Sequence, residues 1–385
     1  MTCSSTRSAI RRLRLPLLLV LMALVSGCAT RPDLLTLETV APDHAPGVRT
    51  VGIYAVTTRT REKPGSNLFD SGRAIKTNYA QFTVSIPPDH QPAKVEWPTR
   101  TPDPATTFAV VSQDVLDGAE FRKDVAGADG PNGQISVFVH GYNYSFQEAL
   151  FRLAQMSADS GITGMPILFS WPSQATVEGY LADKESATYS RDALVALLVE
   201  LARDRPRGDI LLFGHSMGGW LVMEALRQLK LTGRTDVLSR LEVVLAAPDI
   251  DADVMRQELE VIGRLSPPMT ILVSKDDRAL KVAGFISGSS VRVGALDVND
   301  PKVREAAVKH GVLIVDISEL PASDTLNHDK FFGLAALYRS VAARSRTPTL
   351  GQVGAVILDT AGATVSSPFR IMRGVLDPVN GAPSP

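Results

Sequence analysis

The sequence has little cysteine: two residues, Cys3 and Cys28, both within the first thirty positions of a 385-residue chain. A mature domain can build neither a disulfide framework nor a paired-cysteine metal site from them. H-E-x-x-H is absent, as is a glycine loop able to cradle phosphate, so no metal and no cofactor is expected. An excess of either charge is also missing. Forty Lys and Arg stand against 41 Asp and Glu, net −1, with a pI near 6.6. That balance offers no basic field for nucleic acid and no acidic tail. A long apolar run is missing too: Leu15 to Val25 falls short of the about 20 residues a bilayer span takes. What remains, 44% hydrophobic and 21% charged, is ordinary for a globular protein. The length allows one large α/β domain, or at most two smaller ones.

The short apolar run is instead laid out as an export signal. Arg7, Arg11, Arg12 and Arg14 precede it, and Val25-Ser26-Gly27-Cys28 closes it. Small residues before a cysteine at this place resemble the lipobox of bacterial lipoproteins. That resemblance implies residues 1–27 as a signal peptide and a lipid on Cys28. Membrane anchoring would follow, since each buried methylene contributes about 0.8 kcal/mol. Ala29 in place of an aspartate implies the outer membrane of a bacterial envelope, facing the periplasm. Residues 28–48, polar and proline-bearing from Arg31 to Val48, read as a tether.

From residue 49 to 346 the pattern is that of an α/β fold. Thr50–Val56 and Gln81–Ile86 read as antiparallel strands, followed by Phe108–Val111. The short apolar runs Ile135–Val139, Ile167–Phe169, Ile210–Phe213, Val243–Ala246, Thr270–Val273 and Val312–Asp316 then alternate with helical segments. Such alternation predicts a mostly parallel central sheet with helices on both faces. A last helix is expected from Asp329 to Arg344. Residues 347–385, rich in Pro, Gly, Ala and Ser, form a tail that is either docked or loose.

Gly214-His215-Ser216-Met217-Gly218 follows one strand and opens a helix, the context that G-x-S-x-G requires of a nucleophile elbow. Glycines two positions either side of Ser216 permit the close backbone approaches of the sharp turn. Val139-His140-Gly141-Tyr142-Asn143 ends an earlier strand, where this architecture takes an oxyanion-hole amide. Met217 and Tyr142, or a near neighbour of Tyr142, are the expected donors, with Gly141 allowing close approach. Six histidines are present, and only His310 and His328 follow Ser216. His310 ends a helix ahead of a strand, at the wrong sheet edge. His328 follows a strand, at the right one, and is the expected base. Three carboxylates compete as its partner: Asp277 first, then its neighbour Asp276, then Asp249. Trp171, Tyr180 and Asp249 are candidate pocket residues.

The ordered series Thr57-Thr-Arg59, Val84–Pro87, Val137–Asn143, Phe169-Ser-Trp-Pro-Ser173, Gly214–Gly218, Ala246–Asp249, Asp277–Leu280 and Asn327-His328 resembles a bacterial family of α/β hydrolases. That family lies in the esterase/lipase superfamily, and its function is unassigned. The resemblance covers Thr50 to Arg344. It implies the fold and a Ser216–Asp277–His328 triad, and it supplies no substrate. The expected activity is hydrolysis of a small-molecule or lipid ester through an acyl-enzyme. An amidase, thioesterase or acyltransferase on the same triad, or a non-catalytic envelope scaffold, are the alternatives.

Overall fold

The computed structural model of the chain describes residues 31–42, 47–98, 101–127, 134–160, 164–204, 210–288, 291–333 and 370–371. The expected signal segment, Cys28, most of the expected last helix and nearly all of the tail lie outside them.

The chain opens with three antiparallel strands, β1 (Arg49–Arg61), β2 (Phe69–Ile86) and β3 (Ala109–Leu116). The first two are far longer than the apolar cores Thr50–Val56 and Gln81–Ile86 predict. Their polar halves pair with each other through two register shifts, one after Thr57 and one after Arg59. Helix α1 (Gly118–Gly127) leads to β4 (Ile135–Val139), α2 (Phe146–Ser160), β5 (Met165–Ser170), α3 (Tyr180–Tyr189) and α4 (Arg191–Asp204). Next come β6 (Ile210–His215), α5 (Met217–Leu231), a one-turn α6 (Thr235–Leu238), β7 (Leu241–Ala246) and α7 (Ala252–Ile262). The series ends with β8 (Thr270–Val273), α8 (Arg278–Ile286), α9 (Pro301–His310), β9 (Leu313–Asp316) and β10 (Arg370–Ile371).

These strands form a ten-stranded sheet in the order β10-β9-β8-β7-β6-β4-β5-β1-β2-β3. The run from β9 to β1 is parallel throughout. Parallel neighbours force crossovers over the faces, which is why β6 and β7 are buried at every residue. One face packs on α1, α3, α4, α5 and α7 through residues such as Phe121, Leu198, Leu226 and Leu259. The other is covered mainly by α2, whose Phe146 meets Phe69 at 4.6 Å and Phe82 at 5.6 Å between ring centroids. Burying one such aromatic contributes about 1.5–3 kcal/mol. Local signals set the helix ends. Before α9, Asp300 accepts the Lys302 amide at 2.9 Å and Pro301 takes the first helical position; after it, Gly311 turns left-handed at φ 65°.

One segment departs from expectation, and one takes an alternative that the sequence leaves open. Leu34–Leu37, within the supposed tether, forms a 3₁₀ turn whose Leu37 is fully buried, and Val40 donates to the Val110 carbonyl at 3.0 Å. The apolar Leu34-Leu35-Thr36-Leu37 docks because it has a core to join. In the tail, Arg370 and Ile371 pair antiparallel with Asp316 and Val315 and add the edge strand β10.

His90, in the loop after β2, bridges two carboxylates, Glu96 at 2.7 Å and Asp159 at 3.0 Å. Burial pushes the imidazole down, but hydrogen bonds and charge from Asp159 and Glu96 outweigh it and raise its pKa. Asp159 is also buried; contacts from His90, Ala93 and Gln155 hold its pKa below the usual carboxylate range. The raised His90 stabilises the fold fully below the ordinary imidazole pKa and loses that contribution as pH rises through the folded value. The lowered Asp159 contributes above the ordinary carboxylate range and loses its share on acidification. Urea unfolding of the native chain and His90→Gln is therefore expected to show a stability difference that is full below the ordinary imidazole pKa and shrinks as pH rises above it. A constant difference would remove the charge of His90 from the account.

Candidate active site

Ser216 stands between β6 and α5 with φ 53° and ψ −119°, a left-handed conformation that a non-glycine residue adopts only under constraint. The constraint is visible around it. Its amide donates to the Ala246 carbonyl of β7 at 2.9 Å, and its carbonyl accepts from Gly219 at 2.9 Å and Asp249 at 3.1 Å. A Cβ at Gly218 would stand 2.3 Å from the Val139 carbonyl oxygen and 2.4 Å from that of His140. At Gly214 it would stand 2.9 Å from the Gly219 Cα, and at Gly141 it would stand 3.0 Å from the Ser216 Cβ. Gly214 and Gly218 are therefore held by backbone contact, as their spacing predicts, and Gly141 by the side chains of His215 and Ser216. Met217, directly after Ser216, is the first residue of α5, where amides lack an intrahelical acceptor and the helix dipole favours negative charge.

His328 meets the same edge. Its Nδ1 lies 2.6 Å from Asp277 Oδ2, and its ring packs on His215, the residue before Ser216, at 4.8 Å between centroids. Asp277 is fully buried and caps α8, its other oxygen accepting the Leu280 amide at 2.9 Å. Burial pushes the His328 imidazole down, but the hydrogen bond and charge of Asp277, helped by Asp329 and Asp324, raise it to about 9. His310 ends α9, and one of its ring nitrogens lies 3.9 Å from Glu260.

The rival carboxylates are engaged elsewhere. Asp276 accepts Lys330 Nζ at 2.8 Å on both oxygens and Asn327 Nδ2 at 2.9 Å. It latches the His328 loop to the Asp277 loop, and no contact joins it to the imidazole among the described residues. Asp249 accepts the Tyr180 hydroxyl at 2.8 Å and pairs with the buried Arg292 at 3.2 Å. Nor does it cap a helix; Asp251 caps α7, accepting Asp253 and Val254 amides.

The expectation that Trp171 walls a pocket is corrected. Its indole is fully buried, stacked on His140 at 4.9 Å, and Nε1 donates to the His140 carbonyl at 2.8 Å. It underpins the loop because strand β5 ends directly beside the end of β4. Tyr180 is nearly as buried, and meets the Tyr142 ring edge-on at 5.4 Å. Two residues that sequence reasoning left without a role complete the loop's support. Arg59, wholly buried, donates to Ser170 Oγ at 2.9 Å, the Ser173 carbonyl at 3.1 Å and the Tyr144 carbonyl at 2.8 Å. Asp183 accepts the amides of Asn143 at 3.3 Å and Gln174 at 2.6 Å, and the Ser173 hydroxyl at 2.5 Å. Arg59 carried a signal, a cation in an otherwise strand-forming run; Asp183 carried none.

A family profile described as "Alpha/beta hydrolase of unknown function (DUF900)" matches residues 118–346, more than half of the chain. The chain belongs to this family of α/β hydrolases. Among solved structures, the hydrolase is similar to an Agrobacterium vitis S4 protein put forward as a hydrolase, at 14% identity over 66% of this chain and 87% of that one, with a TM-score of 0.27. It is also similar to the esterase Est22, at 13% identity over 78% of this chain and 79% of that one, with a TM-score of 0.31. No curated protein matches it.

In this α/β hydrolase the environment of His328 is directly measurable. NMR titration of its ring is expected to give a pKa of about 9. In Asp277→Asn the value is expected to fall back toward the ordinary imidazole range, because the largest raising contribution is gone. An unmoved titration in that variant would dissociate the two residues.

Proposed function

We propose that this α/β hydrolase is a serine hydrolase of carboxylic esters, with Ser216 as nucleophile, His328 as base and Asp277 as the acid that orients it. The observation that carries the reading is the 2.6 Å contact between His328 Nδ1 and Asp277, on an imidazole packed against the residue preceding Ser216. With Nδ1 turned to the carboxylate, Nε2 is the nitrogen left to take a proton. In this reading His328 removes the Ser216 proton as Oγ attacks the ester carbonyl, and the charge on the imidazolium is held by Asp277. Asp277 in turn is held by the α8 N-terminus. The raised imidazole value makes the neutral, proton-accepting form gain ground as pH rises toward 9.

The developing oxyanion falls to the amides of Met217 and Tyr142. The amides of Asn143 and Tyr144 donate to Asp183 and Ser173 and are not assigned to it. Removing one such donor costs about 3 kcal/mol in the transition state. The protonated His328 then passes its proton to the leaving alcohol, and water repeats the sequence on the acyl-enzyme. Thioester and amide substrates would use the same steps, and the alternative of a non-catalytic scaffold would use none.

A fluorophosphonate probe is expected to label the native chain and not Ser216→Ala, and p-nitrophenyl esters are expected to be hydrolysed only by the former. A native chain that resists labelling would leave the scaffold standing. A rate on thioesters or amides well above that on matched esters would move the substrate class.

We further assign Cys28 to lipid attachment in a bacterial envelope, on the strength of Val25-Ser26-Gly27-Cys28 behind an apolar run. Cells fed an alkyne analogue of palmitate are expected to label the native chain and not Cys28→Ser. Equal labelling of both would remove the anchor.

A further inference from the structure

His140 has a tautomer that its surroundings dictate. The ring is buried, and burial together with the nearby Arg59 cation holds its pKa down to about 3, so it is neutral and carries a single N–H. Nδ1 lies 2.8 Å from the Gly141 carbonyl oxygen. Nε2 lies 3.2 Å from Ser170 Oγ and 3.1 Å from the Trp171 carbonyl oxygen. A carbonyl can only accept. Without a proton, Nδ1 would turn a lone pair on the Gly141 oxygen. Nε2 also faces a carbonyl, but at the longer 3.1 Å and on a Trp171 oxygen that already accepts the Ser173 amide at 2.8 Å, and it has an alternative partner, because the Ser170 hydroxyl can donate to it. The proton therefore belongs on Nδ1, and Ser170 donates to Nε2. The same hydroxyl oxygen accepts Arg59 Nε–H at 2.9 Å, and a hydroxyl that accepts a charged donor becomes a stronger donor itself.

The chain of donors thus runs Arg59 to Ser170 to His140 to the Gly141 carbonyl. That carbonyl belongs to the peptide unit whose N–H is the amide of Tyr142. The unit is planar, so a bond that fixes the C=O also fixes the direction of the N–H, and drawing electron density to the oxygen strengthens the N–H as a donor. We infer that Arg59, Ser170 and His140 form a positioning relay that aims and polarises the Tyr142 amide. None of the three touches the reacting atoms. The inference rests on the reading of Tyr142 as an oxyanion donor.

The other contacts of Arg59 show that the relay belongs to a rigid frame. Its guanidinium reaches the Tyr144 and Ser173 carbonyls, one on each of the two loops that follow β4 and β5. Thr57 on the same strand donates to the Ser170 carbonyl at 2.6 Å and holds the backbone of the middle member. Trp171 stacks on the imidazole and keeps its plane, with 16° between the rings.

Ser170→Ala is the decisive variant, since it cuts the relay while leaving the backbone contacts of Arg59 in place. With p-nitrophenyl butyrate, kcat is expected to fall about tenfold with KM unchanged, less than the about 100-fold loss of a whole donor. The inhibition constant of a trifluoromethyl ketone, which forms the tetrahedral oxyanion adduct, is expected to rise in the same proportion. Ser170→Thr, which keeps the hydroxyl, should restore both. Nitrogen NMR of His140 is expected to show the proton on Nδ1 in the native chain and a shift toward Nε2 in Ser170→Ala. That readout needs no turnover and stands apart from fluorophosphonate labelling, so a chain that fails to label but shows the Nδ1 tautomer retains the hydrogen-bond chain and loses only its catalytic purpose. A native His140 protonated on Nε2 would overturn the relay. So would a Ser170→Ala variant of native thermal stability with unchanged kcat and inhibitor affinity.

Discussion

Two carbonyl oxygens of one strand end set the arrangement of everything above the sheet. Val139 and His140 point at Gly218 so closely that any side-chain carbon there would lie well inside van der Waals contact. Strands β4 and β6 are neighbours in the sheet, so their loops must pass each other within a single inter-strand spacing. The passage is possible because the β6 loop is glycine where the β4 loop presents backbone, and the β4 loop is glycine, at Gly141, where the β6 loop presents Ser216 and His215. This reciprocal interlock brings the Gly141 loop up against Ser216 at the start of α5. The left-handed turn at Ser216 is held by the same contacts and by its bonds to β7.

Around that interlock, buried charge is organised in small closed groups. Asp277 faces His328, Asp276 faces Lys330, Asp249 faces Arg292 with Tyr180, and Asp183 receives two loop amides and a hydroxyl. Each group ties a loop at the strand C-termini to a neighbouring one. Unpaired, the buried Asp277, Lys330, Asp249, Arg292 or Asp183 would each cost several kcal/mol in the interior. His215 is the exception. It lies against Phe331 at 4.4 Å and His328 at 4.8 Å, and neither ring nitrogen has a hydrogen-bond partner among the described residues. Burial, with the neighbouring His328 charge, holds its pKa well below the ordinary imidazole value. A neutral ring there supports the His328 imidazole without opposing its charge.

The sheet, its parallel run and the elbow were legible because each is written locally: apolar runs of strand length, a G-x-S-x-G between strand and helix, and a histidine placed after a strand. The carboxylate that meets His328 was legible only as a choice among three. Asp276 and Asp277 are adjacent, and which of them turns inward depends on which one caps α8, a matter of one backbone angle that composition cannot express. The role of Trp171 was misread because a strand-end aromatic looks alike whether it lines a cavity or supports a loop; the difference lies in the His140 carbonyl, 31 residues away in sequence. The docking of Leu37 was missed because an apolar run of four residues is short beside the polar, proline-bearing stretch around it.

Asp277 divides its two oxygens between a helix and a histidine. One receives the first turn of α8 and the other the imidazole, so this carboxylate cannot drift to another strand end, or to position 276, without leaving a helix start uncapped. A lineage that relocated it would have to invent a new cap in the same step. The double duty makes the residue a kind of evolutionary ratchet, in which the scaffold defends a position that chemistry alone would leave negotiable.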